Sequence, residues 1–485
     1  MVVRFSARLP DRGLTIGGMQ HLQRLSGLDA SFLYLETPSQ PLHVCSILEL
    51  DASTIPGGYS FDRLRDALSL RIKAMPSFRE KLANSFLNLD HPVWVEDEDF
   101  DVDRHVHRIG LPAPGGRVEM GEICGHLASL PLDRRRPLWE MWFIEGVGGT
   151  DAHKGGRLAV MTKVHHAAVD GVTGANLMSQ LCSTEPDPPA PEPVKGGGDT
   201  NQLRIAIGGL GRFATRPLNL VANVLPATIT TVVDTVRRAA SGRAMAAPFG
   251  APQTTFNASI TAHRNVAFTQ LDLEDIKKVK NHFGVKVNDV VMALVSGVLR
   301  QFLLDRGELP ESSLVAMVPV SVHDRSDRPG RNQVSGMFSK LETQIEDPAE
   351  RIRAIAEANN TAKEHSSAIG ATLLQDWSQF AGPAVFGIAM RVYANSRLTE
   401  ARPVHNLVVS NVPGPQIPLY FLGAEVTGMY PLGPIFHGSG LNITVMSLNG
   451  KLDVGLISCP ELLPDLWDMA DDFAVGMKEL LAACD

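Results

Sequence analysis

The N-terminal half of the chain mixes helical and extended apolar patterns. Apolar side chains recur at helical spacing in SFDRLRDALSLRIKAM, a segment that opens with Ser60 as the N-cap. The run RLAVMTKVHH is rich in apolar and β-branched residues and predicts a strand. That strand has to end before the turn pair Asp170 and Gly171, and VTGANLMSQL after the turn predicts a helix. Two adjacent histidines therefore stand where a strand runs into a turn.

The C-terminal half, from about Phe256, repeats this alternation. We predict that Asp272 caps a helix that stops at Gly284, and that Asn288 caps an apolar helix that ends at Gly307. The run SLVAMVPVSV predicts a buried strand, and DPAERIRAIAEANNTAKEHS opens with the aspartate, proline and glutamate of a helix start. In LNITVMSLNGKLDVGLISC an Asn-Gly pair separates two strand patterns and predicts a β-hairpin.

A segment without periodicity joins the two halves. Prolines, glycines and acids fill TEPDPPAPEPVKGGGDT, a composition typical of a linker. Residues 201–247 then hold six arginines and a single acid, Asp234, around an apolar run. Two interpretations are open for these residues: a crossover with a helix packed on the core, or a basic amphipathic segment on a membrane or lipid surface.

Bulk composition is ordinary for a soluble globular protein. The 485 residues are 44% hydrophobic and 20% charged, and the formal net charge of −8 gives no sign of nucleic-acid binding. Five scattered cysteines form no CxxC pair, which predicts reduced thiols in a cytosolic protein. The N-terminus lacks the apolar core of a secretory signal, and no stretch offers about 20 uninterrupted apolar residues, the length of a spanning helix. We expect a soluble or peripheral protein.

The candidate chemistry lies in KVHHAAVDGVTG, residues 163–174. Adjacent side chains of a strand point to opposite faces, so His165 and His166 cannot both face one cavity. Because no third ligand stands at recognisable spacing either, no metal site is expected. A neutral histidine can take a proton from a hydroxyl, and Asp170 could fix the histidine loop or the tautomer. On the residues alone, a polar strand end with a structural turn is favoured over an active site.

Resemblance to a known family changes that balance. The pattern HHxxxDG resembles the signature of the CoA-dependent acyltransferase superfamily, which includes chloramphenicol acetyltransferases and peptide-synthetase condensation domains. Further stretches resemble the bacterial wax ester synthase/acyl-CoA:diacylglycerol acyltransferase family, and they keep their order over almost the whole chain. The matching residues are LSGLDASFLYLET at 25–37, Pro137-Leu138-Trp139, His165, His166, Asp170 and Gly171, Asn288-Asp289, and SNVPGP at 410–415 with Asn411, Pro413 and Gly414.

The resemblance implies an α/β (α+β) fold of two chloramphenicol-acetyltransferase-like lobes with mixed sheets. A long crossover joins the lobes, and an active-site tunnel lies between them. The implied limits are a flexible N-terminal extension at 1–18, an N-terminal lobe with HHxxxDG at 19–193, a connector at 194–255 and a C-terminal lobe at 256–485.

The superfamily uses the second histidine as general base, so the resemblance assigns that role to His166. His165 then either supports the base or is only packed. Asp170 is structural and pairs with an arginine, for which Arg325 and Arg331 are candidates on position alone. The base removes the proton of an acceptor hydroxyl as the oxygen attacks an acyl-CoA thioester. This direct route needs no protein nucleophile, in keeping with a sequence that has no GxSxG elbow.

The other motif residues have structural interpretations. Asn288 is a good N-cap, so the Asn-Asp motif is expected to be mainly architectural. Trp139 is more typical of a core than of a substrate wall. Pro413 and Gly414 are expected to set a turn at the junction of the two halves. The sequence nominates no residue to stabilise the oxyanion.

The implied function is transfer of a long-chain acyl group from acyl-CoA to diacylglycerol, giving triacylglycerol. The same family makes wax esters from fatty alcohols, and the sequence does not choose the acceptor. Two alternatives are a condensation-type acyltransferase that uses a carrier-bound acyl group, and a weakly active or inactive lipid-binding protein on the same fold. Acyl-CoA is a substrate, so no cofactor is expected. The expected location is cytoplasmic, at the inner face of the plasma membrane or on lipid droplets.

Overall fold

The computed structural model describes residues 23–84, 90–168, 181–194, 250–321, 334–368 and 403–484. Several predictions fall outside the described residues: the N-terminal extension at 1–18, most of VTGANLMSQL, and the basic segment at 201–247. Asp170, Gly171, Arg325 and Arg331 lie outside them as well.

The described residues form both strands and helices. In chain order the strands are β1 (Gln23–Arg24), β2 (His43–Asp51), β3 (Glu80–Ala83), β4 (Val93–Glu96), β5 (Val106–Gly110), β6 (Trp139–Val147), β7 (Arg157–His165), β8 (Cys182–Ser183), β9 (Asn265–Asp272), β10 (Val315–Ser321), β11 (Val334–Lys340), β12 (Leu407–Pro413), β13 (Tyr420–Phe421), β14 (Ala424–Leu432), β15 (Leu441–Leu448) and β16 (Lys451–Ser458). The helices are α1 (Gly27–Leu35), α2 (Phe61–Lys73), α3 (Arg117–Ser129), α4 (Leu273–Phe283), α5 (Val287–Asp305), α6 (Pro348–Ala368) and α7 (Leu466–Ala482).

A seven-stranded mixed sheet forms the first lobe, in the order β5-β6-β7-β2-β14-β13-β8. The pair β5 and β6 is parallel, and the other neighbours are antiparallel. Although β13 and β14 belong to the C-terminal half of the chain, they pair with β8 and β2 of the N-terminal half. The two sheets therefore do not divide strictly by position along the chain. A small three-stranded sheet has the order β1-β4-β3, and Trp94 of β4 packs in one cluster with Leu33 of α1 and Leu138.

A six-stranded mixed sheet forms the second lobe, in the order β11-β10-β12-β15-β16-β9. Helices α4 to α7 share one large hydrophobic core with it, built around buried residues such as Phe302, Ile443 and Phe473. Between the lobes, α3 packs closely on β9. A Cβ on Gly125 would lie 2.3 Å from the carbonyl oxygen of Arg264, so only glycine permits this approach.

Most predicted elements are confirmed. The helix after Ser60, the strand through His165 and the helix that ends at Gly284 all form. The hairpin turn is Asn449 and Gly450, whose φ angles of 43° and 79° suit a tight two-residue turn. Among the described residues, however, neither Ser60 nor Asp272 makes the side-chain capping hydrogen bond of its helix.

The predicted N-cap at Asn288 is wrong. Helix α5 begins at Val287, and its N-cap is Lys286. The carboxylate of Asp289 accepts the backbone N–H of Lys286 at 2.9 Å, which satisfies the helix start two residues earlier than expected. Asn288 is thereby released to bond elsewhere.

Of the described helices, α5 alone is long and apolar enough to pass a length-and-composition test for a membrane span. Two-thirds (67%) of its apolar window is buried inside the protein, where α5 packs against α6 and α7, as expected for a core helix.

Candidate active site

Helix α1, from the motif at residues 25–37, lies against the histidine pair. A capping box fixes its start: the hydroxyl of Ser26 accepts the backbone N–H of Asp29, and the Asp29 carboxylate accepts the N–H of Ser26. Phe32 in its last turn and Glu36 at its C-cap both reach the end of β7. This contact between two distant motifs builds the site.

His165 is completely buried, and both of its ring nitrogens have partners. Its Nδ1 accepts the backbone N–H of Ala167 at 3.0 Å, and its Nε2 lies 3.3 Å from Oε2 of Glu36. An accepting Nδ1 carries no proton, so the ring is the neutral tautomer with its proton on Nε2, directed at Glu36. The backbone N–H of His165 also donates to the carbonyl of Leu138 at 3.0 Å. His165 thus holds the turn that follows it.

Glu36 is the charged centre of this cluster. Besides His165 it contacts Nε2 of His43 at 3.5 Å and the guanidinium of Arg134. Burial alone would raise the pKa of Glu36, but the hydrogen bonds from His165, His43 and Arg134 outweigh it and hold the pKa far below its usual range. Burial lowers the pKa of His43, and the bond to Glu36 does not offset this. Glu36 is therefore an anion neutralised by Arg134, beside two neutral histidines.

His166 follows the last residue of β7 and is the first residue of the turn. Its backbone N–H donates to the carbonyl of Leu42 at 2.9 Å, which ties the end of β7 to the start of β2. Its imidazole stacks on the ring of Phe32, with 3.9 Å between the ring centroids and 19° between the planes. Unlike His165, it is only partly buried.

The Pro-Leu-Trp motif supports the same strand end. Trp139 is 4% exposed, and its indole N–H donates to the carbonyl of Phe78 at 2.8 Å, so it is a core residue. Leu138 packs in a cluster with Leu33 and Ala167 while its carbonyl accepts the N–H of His165. Buried Pro137 precedes them at the start of β6.

The Asn-Asp and Asn-Val-Pro-Gly-Pro motifs meet in the second lobe. The side-chain amide of Asn411 donates to Oδ1 of Asn288 at 3.4 Å. Buried Asp289 accepts the amide of Asn359 at 2.8 Å in addition to the helix start. The sequence predicted neither bond.

Pro413 and Gly414 stand where the chain leaves β12 for β13, and so passes from the second sheet to the first. A Cβ on Gly414 would lie 2.3 Å from the carbonyl oxygen of Ser447, so the glycine allows the chain to pass close to β15.

The described geometry joins His165 and His166 to Leu138 and to the motif at 25–37. Asp170 and Gly171 lie outside the described residues. Within the described ranges, no group of three histidine, cysteine, aspartate or glutamate side chains could hold a metal ion.

Sequence reasoning missed Glu36, His43 and Phe32. Phe32 and Glu36 stand inside the motif LSGLDASFLYLET, which served to identify the family without any role for its single residues. An acid directly after an apolar helix was the available signal for Glu36. His43 gave no signal, because only the pairing of β2 with β7 places it opposite His165.

The two-lobed fold and the histidine strand end define an acyltransferase of the superfamily with the HHxxxDG signature, and comparison with known proteins narrows this class. The family model of the wax ester synthase/diacylglycerol acyltransferase catalytic domain matches residues 25–291, and that of the C-terminal domain of the same family matches residues 331–481. The chain therefore belongs to the wax ester synthase/diacylglycerol acyltransferase family, and it is an acyl-CoA-dependent O-acyltransferase.

Relatives agree with this assignment. A Mycobacterium tuberculosis H37Rv protein named as a diacylglycerol O-acyltransferase is 59% identical over 468 residues, which are 96% of this chain and 92% of the relative. A second such protein from the same strain, tgs2, is 32% identical over 93% of this chain and 97% of its own length.

Solved structures share the fold. The wax ester synthase/diacylglycerol acyltransferase from Marinobacter aquaeolei VT8 superposes with a TM-score of 0.68 at 29% identity, over 96% of this chain and all (100%) of that one. The first condensation domain of the calcium-dependent antibiotic synthetase has a TM-score of 0.57 at 17% identity, over 96% and 97% of the two chains, and is a likeness of fold alone.

Proposed function

We propose that the chain transfers a long-chain acyl group from acyl-CoA directly to the free hydroxyl of diacylglycerol, with His166 as the general base. The observation that carries this assignment is the contrast between the two histidines. His165 is completely buried and both of its ring nitrogens are engaged with Ala167 and Glu36, whereas His166, directly after it, is only partly buried and stacks on Phe32.

In this mechanism the neutral imidazole of His166 takes the proton of the acceptor hydroxyl as the oxygen attacks the thioester carbonyl. The tetrahedral intermediate collapses with cleavage of the carbon–sulfur bond, and the proton passes from the imidazolium to the departing sulfur. The products are an ester and free CoA, and His166 returns to its neutral form. A positioned base of this kind contributes roughly 10²–10⁴ in rate.

His165 is a positioning residue in this proposal, because its bonds to Ala167 and Glu36 fix the turn from which His166 projects. Asp170 is proposed to be structural, as the family resemblance implies. An active-site tunnel between the lobes stays a prediction.

Diacylglycerol is the preferred acceptor because the relatives at 59% and 32% identity carry that activity in their names. A fatty alcohol is the second candidate, and the name of the Marinobacter relative, a wax ester synthase as well, favours it.

The enzyme is proposed to work at the cytoplasmic face of a membrane or on lipid droplets. Its proposed acceptors dissolve in lipid, and the six arginines of residues 201–247 complement anionic lipid headgroups. Co-sedimentation with anionic vesicles should fall when these arginines are changed to glutamine, while binding to neutral vesicles should stay low. Equal sedimentation of both forms would contradict this location.

The function is tested by incubating the purified protein with labelled palmitoyl-CoA and diolein, hexadecanol or water. Triacylglycerol should be the main product, and His166→Ala should abolish it. His126→Ala, which changes an exposed histidine on α3, is the matched control and should retain turnover. A folded His166→Ala protein with near-normal turnover would refute the base, and no ester with either alcohol would favour a lipid-binding protein.

A further inference from the structure

Phe32 and His166 make an unusually close aromatic contact. Aromatic pairs in proteins mostly sit offset or edge-on, with centroids about 4.5–7 Å apart. The pair of Phe61 and Phe143 is of that kind, at 5.6 Å and 83°. Phe32 and His166, at 3.9 Å and 19°, are instead in flat face contact.

Both partners of this contact are fixed by the same small core. Phe32 packs against a buried cluster that includes Leu33 of its own helix and Ala167, the residue after His166. The capping box of Ser26 and Asp29 holds the start of α1. The stack therefore joins two anchored elements, and the phenyl ring limits the rotation of the imidazole.

The phenyl face also has an electrostatic consequence. The face of an aromatic ring is the negative end of its quadrupole and attracts a cation placed over it. In the proposed reaction His166 is neutral at the start and gains a proton as the hydroxyl is attacked. Face contact with Phe32 therefore stabilises the protonated imidazolium of His166 more than the neutral imidazole. Only such differential stabilisation raises the rate.

We infer that Phe32 is a positioning residue of the reaction, which holds the general base and strengthens it through the contact of its ring face. The inference rests on the proposed role of His166. Phe32 touches no reacting atom in this account and acts only through the imidazole.

The test replaces Phe32 with methionine, which keeps bulk but has no aromatic face, and with tyrosine, which keeps the face. Phe32→Met should lower kcat roughly threefold to thirtyfold, the range that cation–π contacts span, with little change in KM for acyl-CoA. Since the weaker base loses its proton more readily, the ascending limb of the pH–rate profile should move to lower pH. Phe32→Tyr should stay close to the wild type in both measurements.

Phe100→Met is the matched control. Phe100 also stacks on a histidine, His105, with 5.3 Å between centroids and 23° between planes. His105 has no part in the proposed reaction. This variant should lose stability without moving the pH profile. Thermal unfolding of each variant separates a packing defect from a change in the base.

Fluorination of Phe32 provides a test that keeps its shape. Phenylalanine with one, two and three ring fluorines, introduced by codon suppression, weakens the negative face stepwise. The logarithm of kcat should fall with each fluorine. An unchanged kcat and pH profile across this series and in Phe32→Met would overturn the inference. If the Phe32 variants are unchanged and His166→Ala is inactive in the same assay, only the role of Phe32 is refuted and His166 remains the general base. If His166→Ala is active, the proposed function itself fails.

Discussion

The carboxylate of Glu36 and the imidazole of His165 meet at 3.3 Å across 129 positions of sequence. Glu36 stands near the end of the first motif of the chain and His165 begins the histidine motif, so one buried contact links two patterns that look independent in the sequence. The bond also settles which nitrogen of His165 carries the proton. Substitutions at Glu36 and His165 probe this bond, substitutions at Asp289 and Gly125 probe packing elsewhere in the fold, and Asp453 probes the effect of pH.

Glu36→Gln should lower turnover roughly tenfold to a hundredfold, because a hydrogen bond to a buried charged group is lost and Arg134 is left without its anion. Glu49→Gln is the control. Its carboxylate is equally exposed, at 13%, and equally paired with an arginine, Arg157, but it lies away from the histidines. Turnover and thermal unfolding of both variants should be compared. Equal loss of turnover in the two would contradict a special role for Glu36.

The two nitrogens of His165 can be tested separately. In His165→Asn, the side-chain oxygen can replace Nδ1 and accept the N–H of Ala167; in His165→Gln, the amide can replace Nε2 and reach Glu36. If the turn is what matters, the asparagine variant should retain more turnover than the glutamine variant. The opposite order would show that the bond to Glu36 dominates.

Asp289→Ala should destabilise the protein by about 2–3 kcal/mol, because the start of α5 and the amide of Asn359 both lose their acceptor. Asp272→Ala, at the exposed start of α4, should change the free energy of unfolding by less than about 0.5 kcal/mol. Chemical denaturation measures both. Similar values for the two would mean that the buried network adds little.

Gly125→Ala should destabilise the contact between the lobes, since its Cβ would overlap the carbonyl of Arg264. We expect a loss of about 2 kcal/mol or more, as for other overpacked sites. Among the described residues, a Cβ on Gly110 meets nothing within 4 Å, so Gly110→Ala is the control. A tolerated Gly125→Ala would show that α3 and β9 can move apart freely.

Asp453 introduces a pH dependence of stability. It is buried on β16, and burial raises its pKa to about 7. In the unfolded chain the carboxyl group of Asp453 loses its proton at about pH 4, whereas in the folded protein it keeps the proton up to about pH 7. The stability that this group contributes is therefore complete below about pH 4 and lost as the pH rises to 7. Relative to the wild type, Asp453→Asn should gain stability over that window and stay level above it, as chemical denaturation at a series of pH values would show. A difference that does not vary with pH would contradict the raised pKa.

Much of the local structure could be predicted from the sequence because its causes are local. The turn at Asn449 and Gly450 needs only residues that tolerate positive φ, and the helix from Pro348 needs only its own first turn. The start of α5 was misplaced by two residues, because Asn288 is a good N-cap by residue type whereas Lys286, whose N–H donates to Asp289, is the N-cap in the structure. Asp289 also accepts the amide of Asn359, which lies 70 positions away and is not predictable from the local pattern.

By itself, the sequence determined the family and the strand that ends at His165, because motif order and the pattern of a strand are properties of the chain. Tertiary structure alone decided what each histidine meets. His165 meets Glu36 and His43, and His166 meets Phe32, because α1 and β2 fold against the end of β7. The physical reason is that burial, ion pairing and ring stacking depend on neighbours in space, and those neighbours come from parts of the sequence whose separation no local pattern records.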